Sequence, residues 1–120
     1  MFFTGFADEA GASIDIQIKA TKALGWSNIE SRGTGFNGDI AAMNDADFEV
    51  FSAKLAAAGV RINCFGSAIA NWSKNIQAPF DETLNEVRRS IPRLQKLETK
   101  MVRIMSYAVI RDPESWMPLP

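Results

Sequence analysis

The sequence predicts an α/β fold in which parallel strands are joined by crossover helices. Four short apolar runs, each followed by a polar cluster, recur along the 120 residues at positions 2–7, 26–29, 60–65 and 101–105, and a helical pattern fills each gap. Parallel neighbours need a connection of a dozen or more residues, usually a helix, so this alternation indicates a parallel sheet. Ligands of such sheets bind at the carboxyl ends of the strands. We therefore expect function in the residues that close each run.

Composition narrows the function classes. The chain is 47% hydrophobic and 22% charged with a net charge of -1, which is typical of one ordinary globular domain. A nearly neutral chain has no field to attract a phosphate backbone, so we expect no nucleic-acid partner. No apolar stretch approaches the ~18 residues of a membrane span, and the opening residues lack a signal-peptide pattern. We predict a cytoplasmic protein without a membrane contact.

The first run leads into a helix with clear local signals. Ser13 is the expected N-cap, and Gly25 is the expected left-handed stop. The apolar side chains between them recur at helical spacing and make a helical stripe. They are Ile14, Ile18, Ala20, Ala23 and Leu24.

The second run is followed by a helix that should carry much of the core. Asn44 is the expected N-cap, with Asp45 and Asp47 in the first turn and Gly59 at the end. Its apolar stripe, which should face the sheet, is Phe48, Phe51 and Leu55. We also place five phenylalanines in the core, namely Phe2, Phe3, Phe6, Phe48 and Phe51.

The third helix precedes the fourth run. Asp81 is its expected N-cap, and spacings of three and four residues predict a buried face made of Leu84, Val87, Ile91 and Leu94. Pro92 interrupts the pattern and predicts a bend. Glu98 stands where a C-terminal glycine would be usual.

The repeat length favours a barrel over a nucleotide-binding sheet. Three strand-helix units cover the 99 residues between Phe2 and Met101, or 33 residues each, and eight such units approach the ~250 residues of a TIM barrel. A doubly wound sheet has similar units, but no Gly-x-Gly-x-x-Gly follows the first run, where Gly5-Phe6-Ala7-Asp8-Glu9 stands instead. The single cysteine, Cys64, reads as a buried thiol.

Three segments together resemble a known family. They are Gly25-Trp26-Ser27-Asn28-Ile29-Glu30-Ser31-Arg32, Val60-Arg61-Ile62-Asn63-Cys64-Phe65-Gly66-Ser67-Ala68-Ile69 and Val102-Arg103-Ile104-Met105-Ser106-Tyr107. In order and spacing they are similar to the sugar phosphate isomerase/epimerase family, which has a xylose isomerase-like TIM barrel and also includes endonuclease IV-type DNA repair enzymes.

The resemblance implies a partial domain over residues 1–120, a four-stranded N-terminal half of a (β/α)8 TIM barrel. It would hold strands one to four and helices one to three, and would end in the loop after strand four. In the family a divalent metal (Mn, Mg or Zn) is usually held by two glutamates, an aspartate and a histidine from later strands, and this chain has no histidine. The resemblance therefore implies no metal site and no catalysis by this chain alone.

Glu30 and Arg32 are the most suggestive candidates for substrate binding. A carboxylate at the carboxyl end of an inner strand points into a barrel mouth, where it can accept hydrogen bonds from sugar hydroxyls. Arg32 would lie on the same side and could hold Glu30 or bind a phosphate or carboxylate. The alternative is a structural ion pair at the strand end.

Asp8 and Glu9 follow the first run. They either bind the substrate or, more simply, solvate the loop and cap the next helix.

The third and fourth runs end in further polar candidates. A tryptophan with a lysine in a loop offers a platform and a charge for a sugar phosphate, although a loop tryptophan also packs on core edges. Hydroxyl groups at strand ends can face a ligand or satisfy the local backbone. The candidates for substrate binding are Ser67, Trp72, Lys74 and Ser106, with Asn71 and Tyr107 beside them.

Three functions compete on this evidence. The first is the N-terminal part of a sugar or sugar phosphate isomerase/epimerase, which interconverts carbohydrate isomers by metal-assisted proton transfer next to a carbonyl. The second is a non-catalytic half-barrel that binds or self-associates, because an open half-barrel leaves two sheet edges unpaired. The third is a fragment of an endonuclease IV-like enzyme, which would require histidines and a basic groove.

Overall fold

The computed structural model describes residues 1–108, so residues 109–120, where the loop after the fourth run was predicted, lie outside the described part. Within it a one-turn 3-10 helix (Ala7–Glu9) is followed by three α-helices and three strands that alternate: α1 (Ile14–Ala23), β1 (Asn28–Ser31), α2 (Asp45–Ala58), β2 (Arg61–Gly66), α3 (Asp81–Lys96) and β3 (Met101–Arg103). The sheet order is β1-β2-β3, and both neighbouring pairs are parallel. The predicted α/β class with crossover helices is confirmed.

The first apolar run does not form the predicted strand. Phe6 makes one isolated parallel bridge with Glu30, and the Glu30 N–H donates to the Gly5 carbonyl over 2.8 Å. The side chains of Phe2 and Phe3 are 58% and 64% exposed, so their placement in the core is wrong. Within residues 1–108 no strand lies on the outer side of this segment, and Phe3 stacks only on Trp26 at 5.7 Å between ring centroids.

The first two helices begin and end where their local signals predict. The Ser13 hydroxyl accepts a hydrogen bond from the Ile16 N–H at 3.3 Å, and Asn44 Oδ1 accepts one from the Asp47 N–H at 2.8 Å. Gly25 and Gly59 follow the helices with φ of 71° and 64°, the left-handed conformation that glycine adopts without steric cost.

The core lies between α2 and one face of the sheet. Phe48, Phe51 and Leu55 are buried, as predicted, against a larger set of apolar side chains. Half-buried Phe6 lies outside this core. Three core residues come from the segment before α2, which the sequence analysis did not read as core. The remaining members are Ala7, Ile14, Ile29, Ile40, Ala41, Met43, Val60, Ile62, Phe65 and Leu94.

Helix α3 buries less of its apolar stripe than predicted. Leu94 is buried, but Val87 and Ile91 are 36% and 49% exposed. Ion pairs join the helix to α2, such as that of Arg93 with Asp45 at 2.7 Å. The helix begins at Asp81, one residue earlier than predicted, with Phe80 rather than Asp81 at the cap position. It also continues through Pro92 to Lys96.

Glu98 ends α3 in a glycine-like conformation. Its φ is 55°, and the N–H groups of Glu98 and Thr99 donate to the Gln95 and Leu94 carbonyls at 3.1 and 2.9 Å. This is a Schellman motif whose left-handed position is usually glycine.

We expect Glu98→Gly to raise the free energy of unfolding by about 1 kcal/mol, since a non-glycine residue in this conformation costs ~1–2 kcal/mol and glycine adds chain entropy to the unfolded state. Urea denaturation measures the change. Glu98→Gln is the control, because it removes the charge and keeps the strain. Equal stability of the glycine variant and wild type would show that the strain is absent.

Candidate functional site

One face of the sheet is covered by helices and the other is open. Ile29 pairs with Ile62 and Ser31 pairs with Phe65, and all four are buried on the helix side. The register shifts between Ile29 and Glu30, where Asn63 is an extra residue of β2, so the alternation of side chains restarts at Cys64. Glu30 and its partner Cys64 therefore lie on the side opposite to Ser31 and Phe65. We call this side the open face. Continuing the same alternation, its residues are Glu30, Arg32, Cys64, Gly66, Met101 and Arg103.

Phe6 lies across the carboxyl end of the open face. A Cβ on Gly66 would stand 3.1 Å from Cε1 of Phe6, so the missing side chain lets the ring approach the sheet closely. The guanidinium carbons of Arg32 and Arg103 lie 4.6 and 5.3 Å from the ring centroid. Both distances are within cation-π range. We call these three side chains the Arg-Phe-Arg cluster.

Arg32 is neutralised by the acidic pair that follows the first run. Its Nε donates to Asp8 Oδ2 at 2.8 Å and its Nη2 donates to Glu9 Oε1 at 2.7 Å. These hydrogen bonds raise the pKa of the Arg32 guanidinium. Its ion-pair partners within residues 1–108 are therefore Asp8 and Glu9, not Glu30, and most of its hydrogen-bonding fork is already used. An open groove of about 680 Å³ runs past Asp8, Arg32 and Gly33.

Arg103 is held in place by neutral groups. Its Nη2 donates to the carbonyls of Gly66 and Ser67, each at 3.3 Å. Within residues 1–108 no carboxylate lies in ion-pair distance of its guanidinium, and its Nε is buried without an acceptor. Arg103 belongs to a motif of the predicted family but was not among the predicted binding residues. Its position within the fourth run was the available signal.

Glu30 occupies the middle of the open face. It is half-buried, and within residues 1–108 its carboxylate has no ion-pair partner. Its neighbour Cys64 is half-buried as well. Burial of the thiol, and next the negative charge of Glu30, raise the pKa of Cys64, while a backbone hydrogen bond and the charge of Arg103 act in the opposite direction.

We expect Glu30→Gln to increase the alkylation rate of Cys64 by iodoacetamide at pH 8 by about two- to fivefold, because loss of the neighbouring negative charge lowers the thiol pKa. Mass spectrometry of quenched samples measures the rate. Glu82→Gln, which changes an exposed carboxylate at the start of α3, should leave the rate unchanged. An unchanged rate in Glu30→Gln would show that the charge of Glu30 does not reach the Cys64 thiol, contrary to their pairing in the sheet register.

Ser67 is placed where its hydroxyl serves the fold. The residue is fully buried, and its Oγ donates to the Arg103 carbonyl at 2.6 Å and accepts from the Ile69 N–H at 3.3 Å. The hydroxyl ties the end of β2 to the end of β3. It therefore positions Arg103 and has no surface for a ligand.

Trp72 and Lys74 lie together in the loop after β2. Trp72 is 66% exposed, and Lys74 forms an ion pair with Glu86 of α3. They line a depression of about 340 Å³ with Asn75, Ile76 and Ala108, whose lining includes none of Glu30, Arg32 or Ser67. The structure does not join these two side chains to the open face.

Of the two candidate residues after β3, one faces solvent and the other contacts α3. Ser106 is exposed. The Tyr107 hydroxyl hydrogen-bonds to Thr83 Oγ1 of α3 at 2.8 Å, so it secures the segment after β3 rather than facing the strand ends.

The described residues do not fit a divalent metal. Within residues 1–108 no three His, Cys, Asp or Glu side chains come together, and the open face offers one carboxylate, one thiol and two guanidinium groups. Hard divalent cations prefer several oxygen ligands, and guanidinium groups repel them.

Within residues 1–108 no helix is both long and apolar enough to cross a membrane.

Comparisons of the chain with protein-family models, with curated proteins and with solved structures find no match. The resemblance to the sugar phosphate isomerase/epimerase family therefore stays a prediction from the residues quoted above.

Proposed function

We propose that the open face is the substrate-binding wall of a carbohydrate isomerase or epimerase with a (β/α)8 barrel, of which this chain forms the first half. In this proposal the segment before Phe6, β1, β2 and β3 correspond to barrel strands one to four. Two features of residues 1–108 support it. The strands are parallel, with the core formed with the helices on one side of the sheet, and polar side chains lie at the carboxyl ends of the strands. Barrel active sites lie at that end.

The observation that carries the proposal is the carboxylate of Glu30, which has no ion-pair partner within residues 1–108. It lies half-buried in the middle of an uncovered sheet face, between Phe6 and Cys64 in the register. A carboxylate in such a position is normally paired or accepts hydrogen bonds. Sugar hydroxyl groups are donors of the right kind, and charge-assisted hydrogen bonds to a carboxylate are about twice as strong as neutral ones.

Catalysis needs more groups than the described residues supply. Moving a proton next to a carbonyl requires a base at the carbon and an acid or cation at the oxygen. Glu30 is the one carboxylate on the open face, and the donor set for a metal is absent from residues 1–108. In this proposal the chain binds carbohydrate but does not turn it over alone.

Calorimetric titration tests the proposal. The 120-residue chain is titrated with aldoses, ketoses and their phosphates, and Glu30→Gln and Glu82→Gln are titrated in parallel. We expect at least one carbohydrate to bind, with about tenfold or greater loss in Glu30→Gln, since a hydrogen bond to a charged group contributes ~1.5–3 kcal/mol. Glu82→Gln should bind like wild type. No binding to any carbohydrate, or an affinity that is the same in wild type and Glu30→Gln, would contradict the proposal.

Self-association is a second candidate, favoured by the exposed outer edge of β3. Met101 and Val102 are 49% and 40% exposed, and Ile104 beyond them is 68% exposed. Within residues 1–108 no strand pairs with this edge, and unpaired apolar edges are templates for a second chain. We expect a dimer in sedimentation velocity that Ile104→Lys dissociates and Leu24→Lys, at an exposed position after α1, does not. A wild-type monomer at all concentrations would reject this candidate.

A further inference from the structure

The two guanidinium groups of the Arg-Phe-Arg cluster differ in their ion pairing within residues 1–108. Arg32 has two carboxylate partners, Asp8 and Glu9. Within residues 1–108 the hydrogen-bond partners of the Arg103 guanidinium are carbonyl groups, which do not compensate its positive charge. Two arginines of the same sheet end therefore differ in what they can still bind.

The position of Arg103 is fixed before any ligand arrives. The carbonyls of Gly66 and Ser67 accept hydrogen bonds from one nitrogen of its guanidinium, and Phe6 lies against that group. The Ser67 hydroxyl donates to the backbone carbonyl of Arg103 at 2.6 Å. A side chain held in this way loses little rotamer entropy when it binds a partner. Its location at the carboxyl end of β3 is also where barrel ligands lie.

We infer that Arg103 binds an oxyanion carried by the substrate, so that the open face takes a phosphorylated or carboxylated carbohydrate rather than a neutral sugar. The guanidinium fork matches both phosphate and carboxylate oxygens. Nη1 has no hydrogen-bond acceptor within residues 1–108 and is the donor that remains for it. Glu30 would then repel the anionic end and accept from the hydroxyl end, which orients the ligand across the face. This inference deepens the proposed function and rests on it for the identity of the carbohydrate.

Arg32 does not serve the same purpose. Binding an anion there would require the ligand to displace Asp8 or Glu9, or to share a group whose charge is already balanced. The sequence signals alone favour Arg32, because it follows Glu30 by two residues, whereas the contacts favour Arg103. The specificity for an anionic carbohydrate is therefore assigned to the end of β3.

Matched ligands and variants test the inference. Fructose, fructose 6-phosphate, gluconate and inorganic phosphate are titrated into wild type, Arg103→Gln, Arg103→Lys and Arg61→Gln. Arg61 is an exposed arginine at the opposite end of β2 and controls for net charge. Thermal melts establish that each variant is folded, and Arg103→Lys, which keeps the charge without the fork, serves if Arg103→Gln does not fold.

We expect one of the anionic sugars to bind at least about tenfold more tightly than fructose, with that advantage lost in Arg103→Gln, reduced in Arg103→Lys and kept in Arg61→Gln. The two anionic sugars distinguish phosphate from carboxylate. Equal binding of fructose and both anionic sugars, sensitive to Glu30→Gln but not to Arg103→Gln, would overturn the inference and leave the proposed function standing. Binding of inorganic phosphate that depends on Arg103, without binding of any carbohydrate, would support the anion site and reject the proposed function.

Discussion

Phe51→Ala is expected to lower the free energy of unfolding by about 3–5 kcal/mol, the range for truncating a buried phenylalanine. Phe51 is fully buried in α2, and its ring meets that of Phe36 edge-to-face at 6.3 Å between centroids. Removing the ring leaves a cavity between α2 and the sheet that this packing cannot fill. Domains are stabilised by only ~5–15 kcal/mol in total, so the variant should be close to unfolding at room temperature.

Urea denaturation followed by circular dichroism measures the loss. Val50→Ala is the matched control, because Val50 precedes Phe51 in the same helix but is 47% exposed, and surface truncations usually change stability by less than ~0.5 kcal/mol. Phe51→Leu removes less of the buried side chain and replaces the alanine variant in the measurement if that variant does not fold. A similar small loss for Phe51→Ala and Val50→Ala would mean that α2 does not pack on the sheet through this face.

Gly35→Ala is expected to cost about 3–5 kcal/mol, because it adds a steric clash to an unfavourable backbone conformation. Gly35 has a φ of +78°, and a Cβ there would lie 2.7 Å from both the Ala12 carbonyl oxygen and Ser13 Cα. These are backbone atoms at the start of α1 and cannot rotate away. The loop after β1 would have to leave α1, which also carries the Gln17 side chain that donates to the Gly33 carbonyl at 3.0 Å.

Gly25→Ala separates the two contributions to this cost. Gly25 has a similar φ of +71°, but no atom lies within 4 Å of the added Cβ, so only the conformational cost of ~1–2 kcal/mol applies. Denaturation of both variants under the same conditions gives the difference. Equal losses at the two glycines would show that the loop after β1 does not contact the start of α1.

The local parts of the fold could be predicted from the sequence because their causes are local. Ser13 and Asn44 cap helices through side chains three residues from their partners, and Gly25 and Gly59 end them by their own backbone freedom. The burial of Phe48, Phe51 and Leu55 follows from helical spacing. None of these features depends on a distant segment.

The remaining features depend on contacts that no local pattern contains. Phe2 and Phe3 are as apolar as core residues, but burial requires a neighbour on the outer side of their segment. Val87 and Ile91 have the spacing of a buried stripe, but spacing alone does not show whether another segment covers that stripe. In the site, the sequence placed Arg32 near Glu30, whereas Arg32 pairs with Asp8 and Glu9, and Arg103 is the arginine of the Arg-Phe-Arg cluster that has no acidic partner in the described part.

We propose above all that the open face, at the carboxyl ends of the strands, binds an anionic carbohydrate. Two-dimensional amide NMR of the labelled chain during titration with fructose 6-phosphate and gluconate tests it most directly. We expect the largest shift changes for one of these ligands at the amides of Glu30, Gly66 and Arg103, with little change at Lys54 on the outer helix layer. Shift changes confined to the helices, or none with either ligand at millimolar concentration, would contradict the account.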